Sequence, residues 1–356
     1  MPAIVMELIR GPLVESLFRG DAAVVDSTGR VLFQVGDGRK VTFWRSSAKP
    51  VQALPVITSG AADAFGFTDE HLAIFCASHQ GEPVHTETVA DALRRAGLSP
   101  DYLQCGAHAP YDRATARELE ERGERPRPVH SNCSGKHTGM LAIGRHLGLP
   151  LDDYLSPSSA VQQVVIGAVA RVCGLPKEQI ALGVDGCGVP VFGMDLAHMS
   201  LAFARLADPD RMPEGFAGAG RRIRDAMIAH PYLVAGGGRI CTDLMGLPGG
   251  RLVAKSGAEG VYSIGVLPDA VAASPALQRA GAVGGIGITV KVEDGNADAR
   301  HLMTVEILRQ LDLLTEEDLA ALAKYRPAPI KNWAGRVVGE KRIAFTLQPV
   351  EGVFVG

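Results

Sequence analysis

Apolar residues alternate at both ends of this chain and recur at helical spacing through its middle. That exchange of period constrains the fold more than any other feature. Near the start, Val14–Phe18 and Ala22–Val25 are apolar runs. Asp26-Ser27-Thr28-Gly29 then supplies turn chemistry before Val31–Val35, a hairpin or meander pattern. Beyond it, Pro50–Ala64 and Val84–Leu98 carry helical spacing, with Gly97 placed to stop the second. Further helical patterns fall at Lys136–Leu147, Ser158–Cys173, Leu196–Leu206 and Gly215–His230, punctuated by Pro150, Pro157, Pro176 and Pro231. Strand patterns return at Leu252–Lys255, Gly260–Val266 and Gly287–Val292. Helices are expected at Ala297–Leu311 and Glu316–Lys324, and a last strand at Arg342–Leu347. Strands first, helices in the middle and strands last predict an α+β (α/β sandwich) fold. Its antiparallel sheet is assembled from both chain ends and flanked by helices.

The 356 residues show no internal repeat, and the most loop-like stretch, Arg122–Pro128, is too short to separate domains. One domain over 1–356 is expected, with two lobes and a largely helical middle at about 50–230. The 42 glycines exceed the usual share of about 7 % and predict tight turns and close backbone approaches. A net charge of -3 gives no basic surplus to attract nucleic acid or an anionic membrane. The sequence shows no basic-apolar-small leader and no apolar run of about 18 residues. The six cysteines form no C-x-x-C pair. A reduced, cytoplasmic protein is the expectation.

Five segments hold residues capable of chemistry. In Arg45-Ser46-Ser47-Ala48-Lys49-Pro50, a helix opening at Ser46 would put Lys49 one turn on, on the same face. A serine hydroxyl needs such a base to take its proton, and lysine serves only when neutral. Cys76-Ala77-Ser78-His79-Gln80-Gly81-Glu82 packs four reactive side-chain types beside a glycine. His130-Ser131-Asn132-Cys133-Ser134-Gly135-Lys136-His137 precedes a helical pattern, and Cys133 there suits a nucleophile or a metal ligand. Asp185-Gly186-Cys187-Gly188 ends a strand-like run. Spacing alone reads Cys133 and Cys187 as separate buried thiols, with His79, His130 and His137 as the further ligands a metal would need. Finally, Lys255-Ser256-Gly257 closes a strand. An early S-x-x-K followed by a late K-[ST]-G on a strand is the pairing of active-site serine β-lactamases and penicillin-binding proteins. Gly236-Gly237-Gly238 and Gly284-Gly285-Ile286-Gly287 lack the P-loop Lys-Ser/Thr and are expected to be turns or backbone contacts with a ligand.

The blocks R-S-S-A-K-P, C-A-S-H-Q-G-E, S-N-C-S-G-K-H-T-G-M, D-G-C-G-V-P and K-S-G-A-E-G-V occur here in one order. In that order the chain resembles the L-asparaginase II family, the rhizobial-type or class 3 L-asparaginases, from about Pro12 to the last strand. The resemblance implies a fold similar to serine β-lactamases and glutaminases, and hydrolysis of L-asparagine to L-aspartate and ammonia. It implies two Ser–Lys pairs, Ser46 with Lys49 and Ser78 with Lys255; built on these, the expectation is attack by Ser46 with Lys49 as base and proton relay by Ser78 and Lys255, the roles of the two serines being exchangeable. It also implies a zinc ion (Zn2+) held by Cys133, Lys136 and Cys187. Asp185 would support that lysine and, with Arg45 and His137, face the substrate. A homodimer is implied as well. The alternatives are a glutaminase, another Ser/Lys amidohydrolase acting on a β-lactam or a peptide, and a relative that binds zinc or an amino acid without catalysis.

Overall fold

The expected sheet forms, and both chain ends build it. In the computed structural model, which describes all 356 residues, Leu13–Asp26 is a single strand of 14 residues. It pairs antiparallel with Ala3–Arg10 along its first half and with Ile286–Val292 along its second. Asp26-Ser27-Thr28-Gly29 turns it back onto Val31–Val35. Outward from Ala3–Arg10 lie Val337–Ile343 and Pro329–Lys331; beyond Ile286–Val292 lie Val261–Val266 and Leu252–Ser256. Gln348–Pro349 adds to Val31–Val35, completing an antiparallel sheet.

Burial along the inner strands is continuous rather than alternating, because helices cover both faces. Every residue of Leu252–Ser256, Val261–Val266 and Ile286–Val292 is buried. Gly265 and Gly287 are directly paired partners in adjacent strands. A Cβ on Gly287 would stand 1.7 Å from the Ser200 carbonyl oxygen, and one on Gly265 would stand 2.6 Å from that of Phe203. The two missing side chains make a trough into which the helix Leu196–Ala207 settles. Ser200 Oγ fastens it by donating to the Ala23 carbonyl at 3.0 Å. Gly287 pairs with Val25 and Val292 with Gly20, so Gly20 points to the opposite face. There its Cβ would meet Met303 of the helix Ala297–Gln310. The Gly284–Gly287 stretch, expected as a turn or ligand contact, therefore also serves helix–sheet packing.

The chain divides into two compact units. The sheet unit comprises Met1–Ser47, Met194–Arg211 and Leu247–Gly356; the helical unit comprises Ala48–Gly193 and Met212–Gly246. In the helical unit, Lys49–Thr58 is buried from Lys49 to Val56 and packs against Ser134–Leu147, Ala160–Cys173 and Ala217–Ala229. The helix expected over Pro50–Ala64 breaks at Ser59-Gly60, where Gly60 adopts φ +87°. Pro83–Arg95 ends as predicted before Gly97, at φ +67°. The helices Asp69–Phe75 and Arg113–Glu121 were not among those expected: the first is too short to display a period, and the second buries only Leu119. A hairpin pairs Ala181–Val184 with Pro190–Asp195.

The last predicted strand is displaced. Backbone bonding to Ala3–Arg10 ends at Ala344, whose N–H donates to the Val5 carbonyl, and the backbone of Phe345 and Leu347 bonds instead to the side-chain amide of Gln310. None of the six cysteines forms a disulfide and all are buried, and no helix is long and apolar enough to cross a membrane.

Candidate active site

Lys49 opens the most buried helix of the helical unit and is itself wholly buried. A buried ammonium must be fully hydrogen-bonded to be tolerated. Its Nζ donates to the Ala77 carbonyl at 2.6 Å, to Ser78 Oγ at 3.0 Å and to the Asn132 carbonyl at 3.2 Å. An ammonium has three protons and here meets three acceptors. Two of those acceptors are carbonyls that can never donate; the third is a hydroxyl that can. Once neutral, the amine keeps its N–H bonds to the carbonyls and turns its lone pair to the Ser78 proton. This is the geometry of a base next to a nucleophile.

Local structure holds Ser78 in that position. The helix Asp69–Phe75 ends at Cys76, and the Ser78 N–H donates to the Val234 carbonyl at 2.9 Å. Gln80 Nε2 donates to the Gly237 carbonyl at 2.7 Å, and Tyr232 Oη donates to Glu82 Oε2 at 2.5 Å. The loop is thus tied at alternate residues to 232–237. On its other side, Gly81 N–H donates to His79 Nδ1 at 3.1 Å, which leaves the His79 proton on Nε2. That proton reaches Ser134 Oγ at 2.9 Å, and Ser134 Oγ donates to the Val129 carbonyl at 2.9 Å. Gly135 permits the approach, since a Cβ there would lie 2.0 Å from the Ile74 carbonyl oxygen.

Burial of His79 in this network has a consequence for acid stability. Its pKa lies well below the usual histidine value, chiefly through burial and then through the neighbouring His85, Lys49, His108 and His130. Burial lowers His71, His85 and His130 in the same direction. Below about pH 6.5 the unfolded chain takes up these protons while the folded chain does not. Stability is therefore fully present above pH 6.5 and is lost as pH falls toward the depressed folded-state values. The urea midpoint is expected to drop between pH 7.5 and 5.5, less steeply in His79→Gln; equal slopes would remove His79 from this account.

Cys133, Lys136 and Cys187 also converge. Lys136 Nζ donates to Cys187 Sγ at 3.1 Å and lies 4.0 Å from Asp185 Oδ2. Cys133 and Cys187 share a thiol hydrogen bond. That bond draws the Cys133 thiol well below its usual range against the effect of burial, and Lys49 and Lys136 add to the fall. Cys187, the donor, is pushed up by the same bond and by burial. On Lys136, burial favours the neutral amine, but the Cys187 and Cys133 sulfurs and Asp185 more than reverse it, so the ammonium is held above the usual lysine range. No group of three or more His, Cys, Asp or Glu is arranged to hold a metal ion.

Residues 6–343 match the sequence profile of L-asparaginase II. The chain belongs to the L-asparaginase II family. Membership over nearly the whole chain makes this an amidohydrolase. Solved structures similar to this family member include a Bacillus glutaminase in 4.3 M NaCl, 14% identical over 83% of this chain and 91% of that one, TM-score 0.41. A β-lactamase from Mycobacterium bovis is 17% identical over 86% of this chain and 94% of its own, TM-score 0.39. No curated protein sequence matched the chain.

The remaining predicted residues of this asparaginase II chain lie as follows. Ser46 and Lys255 belong to the sheet unit, whereas Lys49 and Ser78 belong to the helical one. Ser46 is half-buried; Lys255 is wholly buried on its strand and donates to the Ser256 carbonyl at 2.9 Å. Ser47 Oγ donates to the Lys255 carbonyl at 2.8 Å, binding the Ser46 segment to that strand. Arg45 is held at φ +54°, with Nη1 3.8 Å from Glu259 Oε1, and Glu259 has φ +54° too. Asp185 sits in a tight turn, its backbone N–H donating to the Val189 carbonyl. His137 is wholly buried, and Tyr154 Oη lies 2.7 Å from its Nδ1. Burial, then Lys136 and Lys49, holds the His137 imidazole well below its usual pKa. Burial pushes the Tyr154 phenol up, so it keeps its proton. Sequence reading passed over Tyr154 and the carbonyls of Ala77 and Asn132. Backbone carbonyls leave no trace in a sequence, and Tyr154 sits in a polar stretch with no motif around it.

Proposed function

We propose that this amidohydrolase is an L-asparaginase, hydrolysing L-asparagine to L-aspartate and ammonia through Ser–Lys catalysis beside a zinc site. The observation that carries the reading is the triple anchoring of Lys49, with a serine hydroxyl as its third partner. Neutral Lys49 takes the Ser78 proton as Oγ bonds to the side-chain amide carbon of the substrate. The tetrahedral adduct collapses with cleavage of the C–N bond, and the Lys49 ammonium returns that proton to the leaving nitrogen, releasing ammonia. Water then attacks the resulting ester, giving one proton to Lys49 while Ser78 Oγ departs and recovers it. The expectation put the attack on Ser46 with the two serines exchangeable; the Lys49–Ser78 distance is the reason for placing it on Ser78 here.

Two thiols and an amine are donors that suit zinc. Cys133, Lys136 and Cys187 would hold the ion, Lys136 giving up its proton on binding. Bound there, zinc supplies a Lewis-acid anchor for a substrate oxygen. His137 and Asp185 would face the same substrate. A homodimer is proposed on the family resemblance.

Ammonia release from L-asparagine and from L-glutamine tests this directly. Asparagine is expected to have the larger kcat/KM, a pocket worth about 1–3 kcal/mol per methylene separating the two by roughly 10–200-fold. Metal analysis is expected to find zinc in the purified protein and none after Cys133→Ser with Cys187→Ser. No ammonia from either amide with zinc supplied would end the asparaginase reading and leave β-lactams and peptides to be tried.

A further inference from the structure

We propose that Tyr154 is a positioning residue that fixes which nitrogen of His137 carries the proton, so that Nε2–H is presented to a carboxylate oxygen of the substrate. The inference rests on reading this site as the amino-acid pocket.

The argument is a count of protons. Tyr154 Oη has two contacts: the Gln104 backbone N–H, which can only donate, at 2.9 Å, and His137 Nδ1 at 2.7 Å. If the phenol gives its one proton to Nδ1, every polar atom of the chain Gln104–Tyr154–His137 is satisfied except His137 Nε2–H. If instead Nδ1–H donated to Oη, the phenol proton would have no acceptor and Nε2 would be a bare lone pair. Two buried groups would then be unpaired rather than one, at about 1–3 kcal/mol each. The first arrangement wins on that difference.

It leaves His137 Nε2 as a fully buried donor with no partner in the protein. Such a group in a native fold calls for an explanation, and a ligand oxygen is one. An N–H donor calls for an oxygen acceptor, and the carboxylate of an amino-acid substrate supplies one. Tyr154 is itself held rigidly: it is wholly buried, its carbonyl accepts from Gln162 Nε2 at 2.8 Å, and its ring meets His137 edge to face at 5.5 Å. Neither residue of the pair can swing away without a cavity.

Nitrogen-15 NMR of the imidazole groups at pH 7.5, without substrate, reads the tautomer directly, with the His137 signals assigned by their loss in His137→Gln. The expected result is a protonated Nε2 and a bare Nδ1 in the wild type, with that preference weakened in Tyr154→Phe. Kinetics supply the second arm. Tyr154→Phe is expected to raise KM for asparagine about tenfold with a smaller effect on kcat, tenfold being about 1.4 kcal/mol of lost binding. In a His137→Gln background an amide NH2 stands near the Nε2 position and has no tautomer to choose. There the same Tyr154→Phe change is expected to shift KM by less than about twofold, the difference being the coupling energy. The unpaired Gln104 N–H left by phenylalanine is common to both backgrounds and cancels. An Nδ1–H tautomer in the wild type, or equal KM effects in the two backgrounds, overturns the inference. Loss of the proposed substrate would be recognised separately, as absence of ammonia release by the wild type.

Discussion

Ser78→Ala is expected to lower kcat for asparagine by about 10⁴-fold or more, because it removes the proposed nucleophile, and to lower the melting temperature modestly, because it takes one of three acceptors from buried Lys49. Ser78 is nearly buried, and its backbone bond to Val234 survives the change. Lys49→Met keeps the length and most of the volume of the side chain and is expected to match that loss. It also leaves the Ala77 and Asn132 carbonyls without their donor, at about 1–3 kcal/mol each, so the melting temperature should fall as well. The contrast between the two variants is informative: Ser78→Ala removes one of the three partners of Lys49, whereas Lys49→Met strands two carbonyls and should lose more stability. Ser46→Ala decides the competing assignment. If it abolished turnover and prevented an acyl-enzyme from accumulating while Ser78→Ala still formed one, the attack would belong to Ser46. Lys255→Met then asks whether the strand lysine contributes to the chemistry.

The largest loss of stability is expected from a residue far from any chemistry. Gly287→Ala adds one methyl group and is expected to cost at least about 4 kcal/mol, the range of the most damaging single substitutions. Ordinary overpacking costs about 1–3 kcal/mol because side chains can shift. Here the obstacle is backbone: the Ser200 carbonyl oxygen at 1.7 Å and the Ala204 nitrogen at 2.6 Å. Relief requires the whole helix Leu196–Ala207 to lift from the strands beneath it. Gly218→Ala is the control. It lies in a helix with nothing within 4 Å of its Cβ, and the change is expected to stabilise by about 0.5–1 kcal/mol. Urea unfolding of both variants measures the difference. A Gly287→Ala protein as stable as the wild type would mean that the helix does not sit as close as described.

Reading the sequence against these two sites separates what is local from what is not. Helices such as Ala160–Cys173 and Leu196–Ala207 were legible because each buries one face or more of a regular repeat. Asp69–Phe75 was not, since seven residues are too few to display a period. The strand over Arg342–Leu347 was misplaced because its apolar residues fit a strand pattern, whereas their backbone found a side-chain partner in Gln310.

The sequence by itself determined the succession of elements, the antiparallel sheet built from both ends, and the reactive residues that mark the L-asparaginase II family. These depend on side-chain type and on spacing along the chain, which a sequence records. Tertiary structure alone decided that Lys49 meets Ser78, 29 residues away, and that two carbonyls complete its coordination. It alone made Tyr154 the partner of His137 and gave Gly287 its neighbours at Ser200 and Ala204. A hydrogen bond or a steric limit is set by distance in space, and that distance exists only once the helices and strands have packed.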